Sequence, residues 1–353
     1  MTRPARSGYL RPLDFRQGVV DMNHGAGGRV AAQLVQDLFA PAFDNAFLAQ
    51  GNDGALLPAP PPGRLVMATD AHVVSPLVFP GGDIGSLAVY GTVNDVAMLG
   101  AQPLYLSAAF ILEEGFSLAM LRQIVVSMAG AARRCGVPVV TGDTKVVERG
   151  KGDGVFITTT GVGVAPLARD IGGANARVGD VVLLSGSIGE HGVAVLSQRA
   201  SLQFDTAIVS DSAPLHAMVH GLLAAVPEGA VHVLRDPTRG GLATTLNEIA
   251  QQSGVGMLLQ ERAIPVLPEV AGACEMLGLD PLYIANEGKL VAVVAAEWAE
   301  AALAALRADR LGDRAVQIGV VCADSHGFVQ MDTGLGGRRV VDWLSGEPLP
   351  RIC

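Results

Sequence analysis

Apolar positions along this chain follow two rhythms. In "RLVMATD", "PLYLSAAFIL" and "GVFITTTGVGVA", short apolar runs bounded by turn residues predict strands, whereas "IGSLAVYGTVNDVAMLG" and "SLAMLRQIVVSMAGAARRCG" are longer and repeat at helical spacing. Strands alternating with helices predict an α/β domain over 46–168. Ahead of it, an N-terminal segment, 1–45, holds the glycine loop "NHGAGG" and then "RVAAQLVQDLFAPAF", where Val30, Leu34 and Leu38 fit a helix. Around 172–180, "GGANARVGD" replaces periodicity with glycine and small polar residues, the mark of a linker and turn. A second α/β domain is expected over 176–335, from "DVVLLSGSIG" through the helix "GLATTLNEIAQQSG" to the strand "AVQIGVVCAD". The halves are similar in size, but no repeat is sharp enough to indicate duplication. After "GLGGRR", a flexible tail over 336–353 ends in "GEPLPRIC". The expected class is α/β (α+β), two domains each with a mixed sheet and packed helices.

Composition narrows this picture. Half of the 353 residues are hydrophobic and 17% are charged, which suits two packed cores and excludes a disordered chain. The formal charge of -9, with 34 acidic and 25 basic residues and no basic block, argues against nucleic acid and anionic membrane as partners. "MTRPARSGYLRPLDFRQ" has no apolar signal core, and no segment reaches about 18 uninterrupted apolar residues, so a soluble cytoplasmic protein is expected. Cys135, Cys274 and Cys322 are scattered without CxxC or zinc-finger spacing. Cys353 stands apart. Pro348 and Pro350 bias the residues before it toward extended geometry, which presents the thiol and lowers the entropy lost if the tail inserts into a site. Ile352 is a candidate anchor for such insertion, and Arg351 a partner for phosphate or for an acidic wall.

Four aspartates end apolar runs: Asp53 in "NDGA", Asp70 in "MATDAHVV", Asp95 in "GTVNDVAM" and Asp143 in "VTGDTKVV". Each alone fits a cap or a turn; gathered, they would repel unless cations joined them, and magnesium with nucleotide phosphate takes such oxygen ligands. Lys145 would project beside Asp143 in an extended segment, either as a surface ion pair or toward a phosphate or acyl group. In "RDPTRGGLATT", Asp236 and Thr238 precede a helix and suit caps or phosphate, with Arg235 and Arg239 adding charge. Glu287 and Lys289 in "ANEGKLVAVV" fit either an ion pair or catalysis, and His24 either an acid–base group or a hydrogen-bonding spacer.

Together "HGAGG", "NDGA", "TDAHVVSPLVFPGGDIGSLAVYGTVNDVAMLGA", "VTGDTKVV", "RDPTRGG", "ANEGKL" and the terminal "PRIC" resemble, in order and over nearly the whole chain, the HypE family of hydrogenase maturation proteins. That family is similar to aminoimidazole ribonucleotide synthetase, selenophosphate synthetase and thiamine-monophosphate kinase. The resemblance implies a PurM-like two-domain fold, a homodimer, and ATP with Mg2+ bound where two N-terminal domains meet. It implies that Cys353 receives a carbamoyl group from the partner HypF. ATP-dependent dehydration then makes a thiocyanate whose cyanide passes through a HypC–HypD complex to the iron of [NiFe]-hydrogenase. Carried over by position, Asp53, Asp70, Asp95 and Asp143 become metal candidates. Gly25, Gly27, Gly28, Asn94, Asp95, Thr144, Asp236 and Thr238 line the nucleotide; Cys353, Lys145 and Glu287 are catalytic, with Glu287 as the base. The loop carries Ala26 where the family is associated with serine, so any hydroxyl contact there is missing. Selenophosphate synthetase is the nearest rival, but its reactive residue lies near the N-terminus and no cysteine precedes Cys135 here. A non-catalytic docking protein would leave the aspartates and Lys145 unexplained.

Overall fold

A computed structural model describes residues 11–199, 208–346 and 351–353; Pro348 and Pro350 lie outside the described residues. The first domain contains strands β1 (Arg64–His72), β2 (Val78–Phe79), β3 (Gly82–Asp83), β4 (Gln102–Glu113), β5 (Val139–Val147) and β6 (Val155–Ala165). Four of these form a sheet in the order β1-β6-β4-β5, parallel only between β4 and β5, so β1 and β5 occupy opposite edges. On β1 exposed and covered positions alternate, and Leu65 and Met67 are 67% and 71% exposed on an uncovered face.

Before β1 come helix α1 (Arg29–Leu34), a π-helical turn and the short α2 (Ala40–Ala42). This segment packs on the sheet through Phe39, whose ring centroid lies 4.9 Å from that of Phe110. Helix α3 (Ile84–Met98) starts at Asp83, whose carboxylate accepts the Gly85 and Ser86 amides at 2.8 and 3.0 Å. A helix apolar on all sides must be covered on all sides. Accordingly α3 packs on β1, β6 and helix α4 (Leu118–Cys135) of its own domain and reaches the second domain as well; Asp95 is its one residue not buried.

The second domain holds strands β7 (Val181–Leu184), β8 (Val231–Arg235), β9 (Gly256–Gln260), β10 (Val291–Val294), β11 (Val316–Cys322), β12 (Val329–Asp332) and β13 (Arg338–Val340). They form one sheet in the order β13-β12-β9-β11-β7-β10-β8. Its helices are α5 (Glu190–Arg199), α6 (His216–Ala225), α7 (Gly241–Ser253), α8 (Pro268–Leu277) and α9 (Ala299–Ala308). One sheet face shares a core with α7, the other with α6 and α9. Strand β13 extends this sheet into residues assigned above to the tail, because Arg338–Val340 pair with Gln330–Asp332. No helix among the described residues is long and apolar enough to cross a membrane.

Candidate active site

The packing of α3 against the second domain decides what can meet. Asp70 leaves β1, Asp95 rises from the last turns of α3, Asp236 follows β8, and Glu287 precedes β10. Two glycines let these segments close up. Gly241, at φ 61°, brings the start of α7 so near that a Cβ would meet the carbonyls of Leu282 and Ile284 at 2.6 and 2.7 Å. Gly91 gives Asp70 and His72 room beside α3, since a Cβ there would lie 3.1 Å from the His72 ring and 3.3 Å from the Asp70 carboxylate.

The result is a crowd of carboxyls. Burial, then the charges of Asp236 and Asp70, push Asp95 up to about 8. Burial also lifts Asp236 to about 6. Glu287 is raised well above the ordinary range, first by burial and then by Asp236, Asp211, Asp70 and Asp95, and its Oε1 has no hydrogen-bond partner among the described residues. Asp70 is held below its usual value although burial works the other way, because His72, 3.2 Å from its carboxylate, the Ala71 amide and Arg239 outweigh burial. Such an oxygen-only, charge-poor cluster suits a hard divalent cation shared with a ligand's oxygens. The residues that fit are Asp70, Asp95 and Asp236; among the described residues no three such side chains already form a metal-ligating group.

The tail enters this cluster within its own chain. Ile352 is buried in the first core, and the Cys353 thiol lies beside Glu287. Burial, followed by the Glu287 charge, pushes the thiol far above its usual pKa, against the pull of Arg239. Arg351 pairs with Asp153 at 3.1 Å, the acidic-wall alternative. A cavity of about 300 Å³ adjoins the sulfur, lined by Arg239, Gly240, Tyr283 and Ala285.

Other expected residues sit elsewhere. Asp143 and Lys145 form an exposed ion pair of 2.9 Å on β5, at the sheet edge opposite β1. Thr144, Gly25, Gly27 and His24 line a separate cavity of about 360 Å³ between β5 and the N-terminal segment. The buried His24 accepts the Asp21 amide at Nδ1, and its Nε2 has no partner among the described residues. Gly28 only precedes the six-residue α1, and Asp53 is exposed and joined to neither group.

Asn94 is buried, and its amide donates to the Ala213 carbonyl at 3.1 Å and accepts the Leu215 N–H at 2.7 Å, tying α3 to the second domain. Asp236 and Thr238 do not cap α7, whose N-cap is Gly240 without a side-chain bond. Lys289 does not pair with Glu287; it lies 3.5 Å from Glu190 and 3.4 Å from Asp211, and Asp211 accepts the amides of Glu287 and Gly288. Sequence reasoning passed over Asp211 and found no metal-ligand spacing around His191, which is fully buried and bonded to the tail.

Comparison with known proteins agrees with this architecture. Residues 51–165 match the family model described as AIR synthase related protein, N-terminal domain, and 177–332 the corresponding C-terminal domain. "Carbamoyl dehydratase HypE" of Cupriavidus necator is 68% identical over 353 residues, covering 100% of both chains. A crystal structure of hydrogenase maturation protein HypE in complex with ATP superposes with a TM-score of 0.90 at 51% identity, covering 94% of this chain and 99% of that one. A HypE–HypF complex superposes with a TM-score of 0.77 at 48% identity, covering 88% and 99%. The chain therefore belongs to the HypE family of carbamoyl dehydratases, within the AIR synthase-related, PurM-like fold.

Proposed function

We propose that this chain dehydrates a carbamoyl group carried on the sulfur of Cys353 to a thiocyanate, using ATP and Mg2+, and that it works as a homodimer. The observation that carries the reading is the docking of Cys353 against buried Glu287 at the edge of the Asp70, Asp95 and Asp236 cluster. The printed names of the relatives support it: one is a carbamoyl dehydratase, one a HypE bound to ATP.

An amide oxygen is a poor leaving group, and ATP supplies the phosphoryl group that makes it a good one. Loss of phosphate together with the remaining N–H proton leaves the nitrile, so a carbamoyl sulfide and ATP yield a thiocyanate, ADP and phosphate. Asp70, Asp95 and Asp236 are the residues to hold Mg2+ beside the phosphates, neutralising charge as transfer proceeds. Glu287 is the base: a cation held by the neighbouring aspartates would offset the charges that disfavour its ionised form, and once ionised it takes the proton from the carbamoyl nitrogen and holds it more firmly than an ordinary glutamate. Arg239, on the wall of the tail cavity, is suited to balance the charge of the departing phosphate.

The position of the two half-sites supports the dimer. Lys145, Asp143 and Thr144 stand on β5 and the cysteine cluster at β1, opposite edges of a four-stranded sheet about 14 Å apart at ~4.8 Å per strand. A symmetric pairing of two copies through the uncovered sheet face bearing Leu65 and Met67 brings β5 of one copy to β1 of the other and buries that face. ATP then lies between the two N-terminal domains, with the cavity at Gly25, Gly27 and Thr144 as its other wall. HypF supplies the carbamoyl group, and the HypC–HypD complex receives the cyanide. Single-turnover dehydration by Glu287→Gln tests the reading: water should stay on the adduct while ATP still binds, and dehydration at the wild-type rate would reject it.

A further inference from the structure

Helix α5 has a buried histidine that the proposed reaction does not use. His191 has 0% exposure, yet both ring nitrogens are engaged. Nε2 lies 2.7 Å from the carbonyl oxygen of Ile352, which only accepts, so Nε2 carries the hydrogen. Nδ1 must then accept, and it does so from the Ser210 hydroxyl at 2.7 Å, which itself accepts the Ser212 amide at 3.1 Å. Phe79 meets the imidazole edge-on, with ring centroids 5.3 Å apart and planes at 88°. The tautomer and the orientation of the ring are thus both fixed, and its one donor is aimed at the tail.

At the other end of α5, Arg199 donates to the carbonyl of Arg351 at 2.8 Å and to that of Ser75 at 2.7 Å. The chain after β1 completes the set: the Ser75 amide donates to the Arg351 carbonyl at 3.2 Å and the Val73 amide to a carboxylate oxygen of Cys353 at 3.1 Å. A backbone oxygen of each of the last three residues is therefore held, and Arg351 alone among the described non-glycine residues keeps a positive φ, 56°. An L-residue stays in that region only where its surroundings over-determine it.

We propose that α5 is the docking element for the reactive tail, with His191 and Arg199 as positioning residues that grip the two peptide carbonyls before Cys353 and fix the register in which its sulfur meets Glu287. These contacts are to peptide groups rather than side chains, so the clamp measures distance along the chain to the thiol. It also sets how often the tail leaves for modification. The catalytic consequence rests on the reaction proposed above; the docking does not.

The test is the rate at which iodoacetamide alkylates Cys353 in the full-length protein, followed on the C-terminal peptide by mass spectrometry. Cys135 and Cys274, both buried, report whether the fold is intact. His191→Ala should raise the Cys353 rate about tenfold, the scale of one buried hydrogen bond in a docked–undocked equilibrium. His191→Gln, whose amide N–H can reach the same carbonyl, should recover most of the protection. Arg199→Ala should also accelerate the reaction, and it decides the matter if His191→Ala exposes Cys274. In single turnover, dehydration in His191→Ala should fall about tenfold with ATP affinity unchanged. Wild-type alkylation rates in folded His191→Ala and Arg199→Ala would overturn the inference. Faster alkylation in these variants, with no dehydration even by the wild type, would sustain the docking and reject the reaction.

Discussion

Asp95 on α3 of the first domain and Asp236 after β8 of the second face each other across the domain boundary, and the charge of Asp236 adds to burial in holding the Asp95 carboxyl protonated up to about pH 8. This is poor design for a bare protein and good design for one that binds a cation there. Between about 4 and 8 the folded chain keeps a proton that the unfolded chain releases, so this group's contribution to stability is complete below its unfolded pKa and is lost as pH rises through 8. Asp95→Asn should flatten that fall. At about pH 8 it should raise the apo-protein's melting midpoint by about 2–4 °C, the effect of ~1 kcal/mol in domains of this size. The same variant should bind magnesium–ATP at least about tenfold more weakly. Calorimetry across the pH range checks both, and an unchanged pH slope in the variant would remove Asp95 from the account.

Subunit mixing tests whether the half-sites at β5 and β1 are shared. A Lys145→Ala subunit and a Glu287→Gln subunit are each inactive as homodimers if both residues serve catalysis. In a mixed dimer, one site combines the intact Lys145 of one copy with the intact Glu287 and Cys353 of the other. About half of wild-type activity per mixed dimer should return, and one tail in two should lose water. No recovery in a verified mixed dimer would confine each site to a single chain.

Lys289 predicts a structural effect rather than a chemical one. It lies between Glu190 and Asp211, with all three side chains largely buried, and Asp211 accepts the Glu287 and Gly288 N–H groups, one on either side of the Glu287 Cα. Removing one partner of such a group leaves buried charge uncompensated, at a cost of about 3 kcal/mol or more. Lys289→Met should therefore lower stability by about that amount in denaturant melts and slow dehydration through misplacement of Glu287. Asp211→Asn, which keeps one acceptor for the amides, should cost less. Equal stability of Lys289→Met and wild type would show that the group is not coupled as described.

What the sequence made legible was local. The all-apolar pattern of "IGSLAVYGTVNDVAML" pointed to a helix and left Asp95 as its conspicuous acid, and the two-residue spacing of Asp143 and Lys145 put both on one side of β5, with an ion pair and a phosphate role both open. Strand β13 was missed because "RRV" is short and polar, and takes its form from pairing with β12 rather than from its own pattern. The bonds of Asn94 to Ala213 and Leu215 had no local signal, because those partners lie more than a hundred residues away. His191 left no signal at all, since what it binds is a peptide carbonyl 161 residues distant. Backbone recognition has no side-chain motif to find.

The most direct measurement follows the mass of the C-terminal peptide after incubation with HypF, carbamoyl phosphate and magnesium–ATP. The account predicts a carbamoyl adduct on Cys353 that loses one water with hydrolysable ATP and keeps it with a non-hydrolysable analogue. An adduct that never loses water, or loses it equally without ATP, would contradict the central claim.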